Sequence, residues 1–129
     1  MNASLALSGR IGLSLIFIIS GWGKIAAYAG TQQYMESAGL PGALLPLVIA
    51  LELGGGLAIL TGTFTRWIAL ALAAFSLASA AVFHANLGDA AQAINFWKNV
   101  AMAGGFLMLA AQGAGALSLD HLWARRRNA

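Results

Sequence analysis

Glu52 is the residue around which chemistry in this chain would be built. It lies near the middle of LLPLVIALELGGGLAILT, residues 44–61, an otherwise apolar run. About 20 apolar residues at about 1.5 Å rise each span the hydrocarbon core of a bilayer, so the run reads as a membrane-crossing helix with a carboxyl group at mid-depth. An ionisable group there costs at least ~2.5 kcal/mol on insertion scales, and a glutamate is too short to reach the headgroups. Such a side chain is expected to face the protein interior, paired or protonated, and to mark a functional site.

Three further residues fall at a similar depth when the other apolar segments are laid across the same bilayer. Lys24 lies 14 residues beyond Arg10 and Lys98 lies 14 residues before Gln112. Each therefore stands about 21 Å from the same membrane face. His84 follows Arg66 by 18 residues, about 27 Å along a helix and slightly nearer the opposite face. A buried ion pair is cheaper than two separate charges, so Glu52 with Lys24 or Lys98 is the expected pairing. Two lysines against one carboxylate leave a surplus cation, suited to an anionic or strongly polarised ligand such as a quinone carbonyl or a small oxyanion. His84 would then relay protons to the outer face. The plainer reading has both lysines snorkelling to the headgroups and His84 hydrogen-bonded at the interface.

The elements that must position these groups are four apolar segments at about residues 5–28, 44–61, 66–86 and 94–112 of a single domain, 1–129. The fold class expected is all-α, a polytopic four-helix membrane bundle, with the first apolar segment retained rather than cleaved. Gly12, Ser14, Ser20, Gly21 and Gly23 on the first segment suit close helix contact in lipid. Gly54, Gly55 and Gly56 let a partner helix or a ligand approach the backbone beside Glu52. Between the first two segments, Thr31 to Gly39 reads as one or two capped helical turns, either lying over the bundle as a lid or forming a solvated loop with a helical turn. Asp89 is placed to cap the fourth segment. The tail from Asp120 to Arg127 reads as a short interfacial anchor with Trp123 at headgroup level.

Four crossings put both termini and the Gly62 to Thr65 turn on one side. That side carries Arg10, Arg66, Arg125, Arg126 and Arg127, against Lys24 and Lys98 on the other, so the termini are expected in the cytoplasm. Trp22, Tyr28, Phe96 and Trp97 then form the outer aromatic belt, and Trp67 and Trp123 the inner one. Arg10 and Arg66 are expected as cytoplasmic anchors.

Composition sets the outer limits. Of 129 residues, 60% are hydrophobic and 9% charged, with mean hydropathy +0.78, more apolar surface than a soluble domain of this size can hide. The net charge of +3 sits mostly at segment ends and speaks for orientation and headgroup contact, not for nucleic acid. With no cysteine, the chain has no thiol chemistry of its own. The spacing of Glu52, His84 and Asp89 matches no helical metal site, and no phosphate loop or nucleophile elbow is present.

SGWGKIAAYAGTQQYMESAGLP, LPLVIALELGGGLAILTGTFTR, FHAN, FWKNVAMAGGFLML and GAGALSLD occur in this order along the chain. Together they resemble the DoxX family of small bacterial membrane proteins, over nearly the whole length. The resemblance implies a four-helix inner-membrane protein. The family takes its name from a subunit of a thiosulfate:quinone oxidoreductase, and relatives are associated with quinone or thiol stress and membrane redox complexes. Lys24, Glu52, Arg66, His84, Lys98 and Asn99 fall in the family-like motifs, and none is transferable as a catalytic residue.

The resulting expectation is a redox-linked subunit that binds a quinone-like or small anionic ligand through Lys24, Glu52, His84, Lys98 and Asn99 in the outer half of the bundle. Electrons would be carried by the quinone or by a partner protein, with no metal and no covalent cofactor. The alternative is a non-enzymatic scaffold or a small-solute permeation protein. A water-filled path is disfavoured because the inner half offers chiefly Ser14, Ser20, Ser76 and Ser79.

Overall fold

The computed structural model describes residues 2–128. It is helical throughout, with no strand among the described residues. Helix α1 spans Ala3–Ala26, started by the Asn2 side chain accepting from the N–H groups of Ser4 and Leu5. It ends at Ala27, whose φ of −115° and ψ of 43° break the helix, and α2 follows at once as Tyr28–Ser37. Helix α3 is Gly42–Thr61, α4 is Thr65–Phe83, α5 is Ala90–Gln112 and α6 is Leu119–Arg127. Helices α1, α3 and α4 are long and apolar enough to cross a membrane. Helix α5 has 23 residues, but Gln92, Asn95, Lys98 and Asn99 make its first half polar.

The long helices bury small and polar residues together with a few bulky apolar ones, Phe17, Leu45, Ile59, Leu72 and Phe106, and turn many other large apolar side chains outward. On α1 the buried positions are Arg10, Ser14, Phe17 and Gly21, spaced four, three and four apart as one face of a 3.6-residue helix requires. Ile19, Leu47, Trp67 and Met108 are among many large apolar side chains more than 60% exposed. That distribution inverts a soluble protein's and suits a lipid surround. Where α1 crosses α3, a Cβ at Gly21 would stand 2.8 Å from the Leu53 nitrogen and one at Gly56 would stand 3.1 Å from the Ile18 nitrogen. Gly55 faces Leu72 of α4. Two of the three consecutive glycines thus admit partner helices. Phe17 centres the core, edge-on to Phe106 at 5.4 Å and Phe75 at 6.3 Å between ring centroids.

The turn between α3 and α4 is closed by Gly62, at φ 74°, where the N–H groups of Gly62 and Thr63 donate to the carbonyls of Ile59 and Ala58. Residues of the tail lock it. Asp120 accepts from the N–H groups of Phe64 and Thr65, both at 2.8 Å, and its own N–H donates to the Gly62 carbonyl at 2.8 Å. The tail therefore docks onto the turn and caps α4, which is more than an interfacial anchor needs to do. Trp123 packs against Phe64, ring centroids 5.9 Å apart.

Arg10, expected as an anchor at the membrane face, is drawn inside the protein. It is 1% exposed, and its guanidinium donates to the carbonyls of Ile59 at 3.2 Å and Leu60 at 3.0 Å, and to that of Leu117. A helix leaves its last carbonyls without intrahelical partners, and a planar fork of donors can satisfy several of them at once. Arg10 thereby ties the start of α1 to the end of α3 and to the tail.

Candidate functional site

Glu52 occupies the centre of a π-helical segment, Ala50–Gly54, inside α3. The wider turn inserts one extra residue and re-aims the side chains around it, a device found often at functional sites. Pro46 opens the preceding α-helical turns, and the following glycines allow the helix to resume without crowding α1 and α4. The carboxylate is buried, and Lys24 of α1 brings its Nζ to 2.8 Å from Glu52 Oε1. This is the one ion pair among the described residues.

The pair forms part of the wall of a cavity of about 400 Å³. Phe17, Phe75 and Met102 give it an apolar floor, while Ser20, Ser79, His84 and Asn99 add polar groups. Its roof is α2. Met35 is buried, Tyr34 and Thr31 face the cavity with it, and Tyr34 stacks on Phe83 at 5.1 Å with an interplanar angle of 18°. Gln32 Nε2 donates to the Gly42 carbonyl at 3.2 Å, holding α2 against the start of α3. The helical turns anticipated from Thr31 to Gly39 are present as α2, starting three residues earlier and ending at Ser37, just before Gly39, whose φ is 85°. They cover the cavity.

Lys24, Glu52, His84 and Asn99 are thus brought to one cavity from α1, α3, the end of α4 and α5. His84 stands at the C-cap of α4, its N–H donating to Ala80. Lys98 is exposed and does not line the cavity; on a helix, adjacent positions point about 100° apart, so with Asn99 facing in, Lys98 faces away. The cavity consequently holds one cation and one anion. Tyr34, Met35 and Phe75 line it as well, beyond the site residues expected from the sequence. The signal for the first two was already in the sequence, as an apolar pair in a connector otherwise polar.

An ion pair with a buried carboxylate beside a roofed, mainly apolar cavity of this volume can bind a small molecule and orient it by one charged contact. The sequence profile of the DoxX family matches residues 5–85. The inner membrane protein YqjF of Escherichia coli K12 is 54% identical, over 90% of this chain and 89% of that protein. The inner membrane protein YphA of the same organism is 44% identical, over 90% of this chain and 88% of that protein. No solved structure matches. The fold and site define a multi-pass helical protein of the bacterial inner membrane. The chain belongs to the DoxX family.

Proposed function

We propose that the chain forms a four-helix transmembrane bundle, α5 being the fourth crossing, that holds a quinone-like ligand between the Lys24–Glu52 pair and the α2 roof as part of a redox-linked membrane system. The observation that carries this is the 2.8 Å contact of Lys24 with Glu52 on the wall of a cavity of about 400 Å³. A cavity with one cation and one anion has no surplus charge to hold a free oxyanion. It favours instead a neutral ligand with an apolar body and a carbonyl that can accept from the Lys24 ammonium, which is what a quinone presents. Lys24 would polarise that carbonyl, Glu52 would balance the ammonium and exchange protons, and His84 and Asn99 would offer hydrogen bonds at the α4 and α5 walls. The π-helical segment that aims Glu52 inward adds support.

Both termini are assigned to the cytoplasm, because Arg10, Arg66 and the three arginines of α6 gather at one end and Lys24 and Lys98 at the other. A fluorescent protein fused to the C-terminus should fluoresce in cells, as it would not after export to the periplasm.

Binding of ubiquinone and menaquinone to purified protein tests the ligand. Affinity should fall about tenfold in Lys24→Met, the loss of one charge-assisted hydrogen bond, and also in Glu52→Gln. It should hold in Lys98→Met. Unchanged affinity in both Lys24→Met and Glu52→Gln would remove the pocket and leave the scaffold reading.

A further inference from the structure

A second cleft lies at the opposite end of the molecule, where the start of α4, the end of α5 and the docked tail meet. It has a volume of about 980 Å³, and Arg66, His121 and Arg127 line it together with Trp67 and Trp123. We propose that this cleft binds the phosphate of an anionic phospholipid, with Arg66 and Arg127 as the phosphate ligands.

The basic groups come from separate elements, and specific contacts of the tail bring them to one cleft. The tail that carries His121 and Arg127 is held by Asp120 on the N–H groups of Phe64 and Thr65, and by Arg10 on the Leu117 carbonyl. Arg66 lies across Gly113, whose φ is 82° and whose missing Cβ would stand 3.5 Å from Nε and Nη2. The acid in the cleft, Asp120, has committed both oxygens to backbone N–H groups, and neither Arg66 nor Arg127 has an ion-pair partner among the described residues. Two guanidinium groups are thus left to a ligand, and the guanidinium fork matches phosphate oxygens two at a time.

A lipid rather than a soluble phosphate is favoured by what surrounds the cleft. Trp67 is 75% and Trp123 39% exposed, the placement of aromatic side chains at headgroup depth. Leu70, one turn beyond Arg66 on the same face of α4, is 44% exposed and offers an acyl chain an apolar path. Arg125 and Arg126 do not line the cleft, so the site differs from a diffuse attraction of a basic tail to an acidic bilayer, in which all the tail arginines count alike.

The test is thermal stabilisation of the purified protein in neutral detergent, titrated with phosphatidylglycerol, phosphatidylcholine and glycerol phosphate. Phosphatidylglycerol should stabilise, and the Arg66→Gln/Arg127→Gln pair should need about tenfold more of it. The Arg125→Gln/Arg126→Gln pair should stay within about twofold of the parent. Equal losses in the two pairs, or equal stabilisation by phosphatidylcholine, would overturn the proposal. Stabilisation by glycerol phosphate at matching concentration would overturn the lipid as the occupant. Native mass spectrometry of the unaltered protein gives a reading independent of the variants' folding: an anionic lipid adduct outlasting zwitterionic ones supports the site, and equal retention refutes it.

Discussion

Lys24 and Glu52 meet at 2.8 Å but from unequal surroundings, the lysine side chain 29% exposed and the glutamate 4%. The two halves of the pair are therefore not equivalent to remove. Lys24→Met strands a buried carboxylate and should cost about 3 kcal/mol. Glu52→Gln leaves an ammonium that can turn toward solvent or headgroups and should cost about 1 kcal/mol. The double variant should recover part of the Lys24→Met loss. Unfolding in mixed micelles measures all three, and equal costs for the two single changes would contradict the asymmetry.

Arg10 should be among the least replaceable side chains, although it sits near the end of a membrane helix where a lysine would ordinarily serve. Its guanidinium meets carbonyls of Ile59, Leu60 and Leu117 together. Arg10→Lys keeps the charge but loses the fork, and should cost about 2 kcal/mol. A melting temperature unchanged in Arg10→Lys would reduce the residue to a charge anchor.

Asp120 caps α4 from the tail, so its loss should be felt at both places. Asp120→Ala should destabilise by about 1–2 kcal/mol, within the range for charged capping groups. It should also expose the 113–128 segment to proteases acting on detergent-solubilised protein. Cleavage there at the parent rate would mean that the tail is held by something else.

What the sequence disclosed follows the distance over which its signals act. Glu52 announced itself because a carboxylate in an apolar run has few fates, and Lys24 followed from depth along α1. Depth alone could not separate Lys98 from Asn99, since their difference is one of helical rotation, and the π-helical turn at Glu52 shifts rotation on α3 as well. The start of α5 fell earlier than hydropathy suggested, at Ala90 rather than about 94, because Asp89 caps it through the N–H groups of Ala91 and Gln92 while its first turns stay polar. Arg10 was legible in hindsight: it shares a stripe with Ser14, Phe17 and Gly21, and a charge in register with buried positions points inward. The docking of Asp120 on the α3–α4 turn joins residues 55 and 56 apart, and no local pattern carries that.

The glycines separate by what they face, which makes them a direct probe of the α1–α3 crossing. A Cβ at Gly21 would stand 2.8 Å from the Leu53 nitrogen, whereas Gly23, one residue beyond Trp22, has nothing within 4 Å. On α3, Gly56 is closed by Ile18 and the Ser14 carbonyl, and Gly54 is open. Backbone atoms cannot move aside as a flexible side chain can, so Gly21→Ala and Gly56→Ala must push the helices apart and should cost about 1–3 kcal/mol. Gly23→Ala and Gly54→Ala should be neutral or slightly stabilising, since alanine is the better helix former by about 1 kcal/mol. The crossing also sets the distance between Lys24, three residues past Gly21, and Glu52, one residue before Leu53. Gly21→Ala should therefore weaken ligand binding at the Lys24–Glu52 pair along with stability. Loss of stability with ligand affinity intact would separate the crossing from the site.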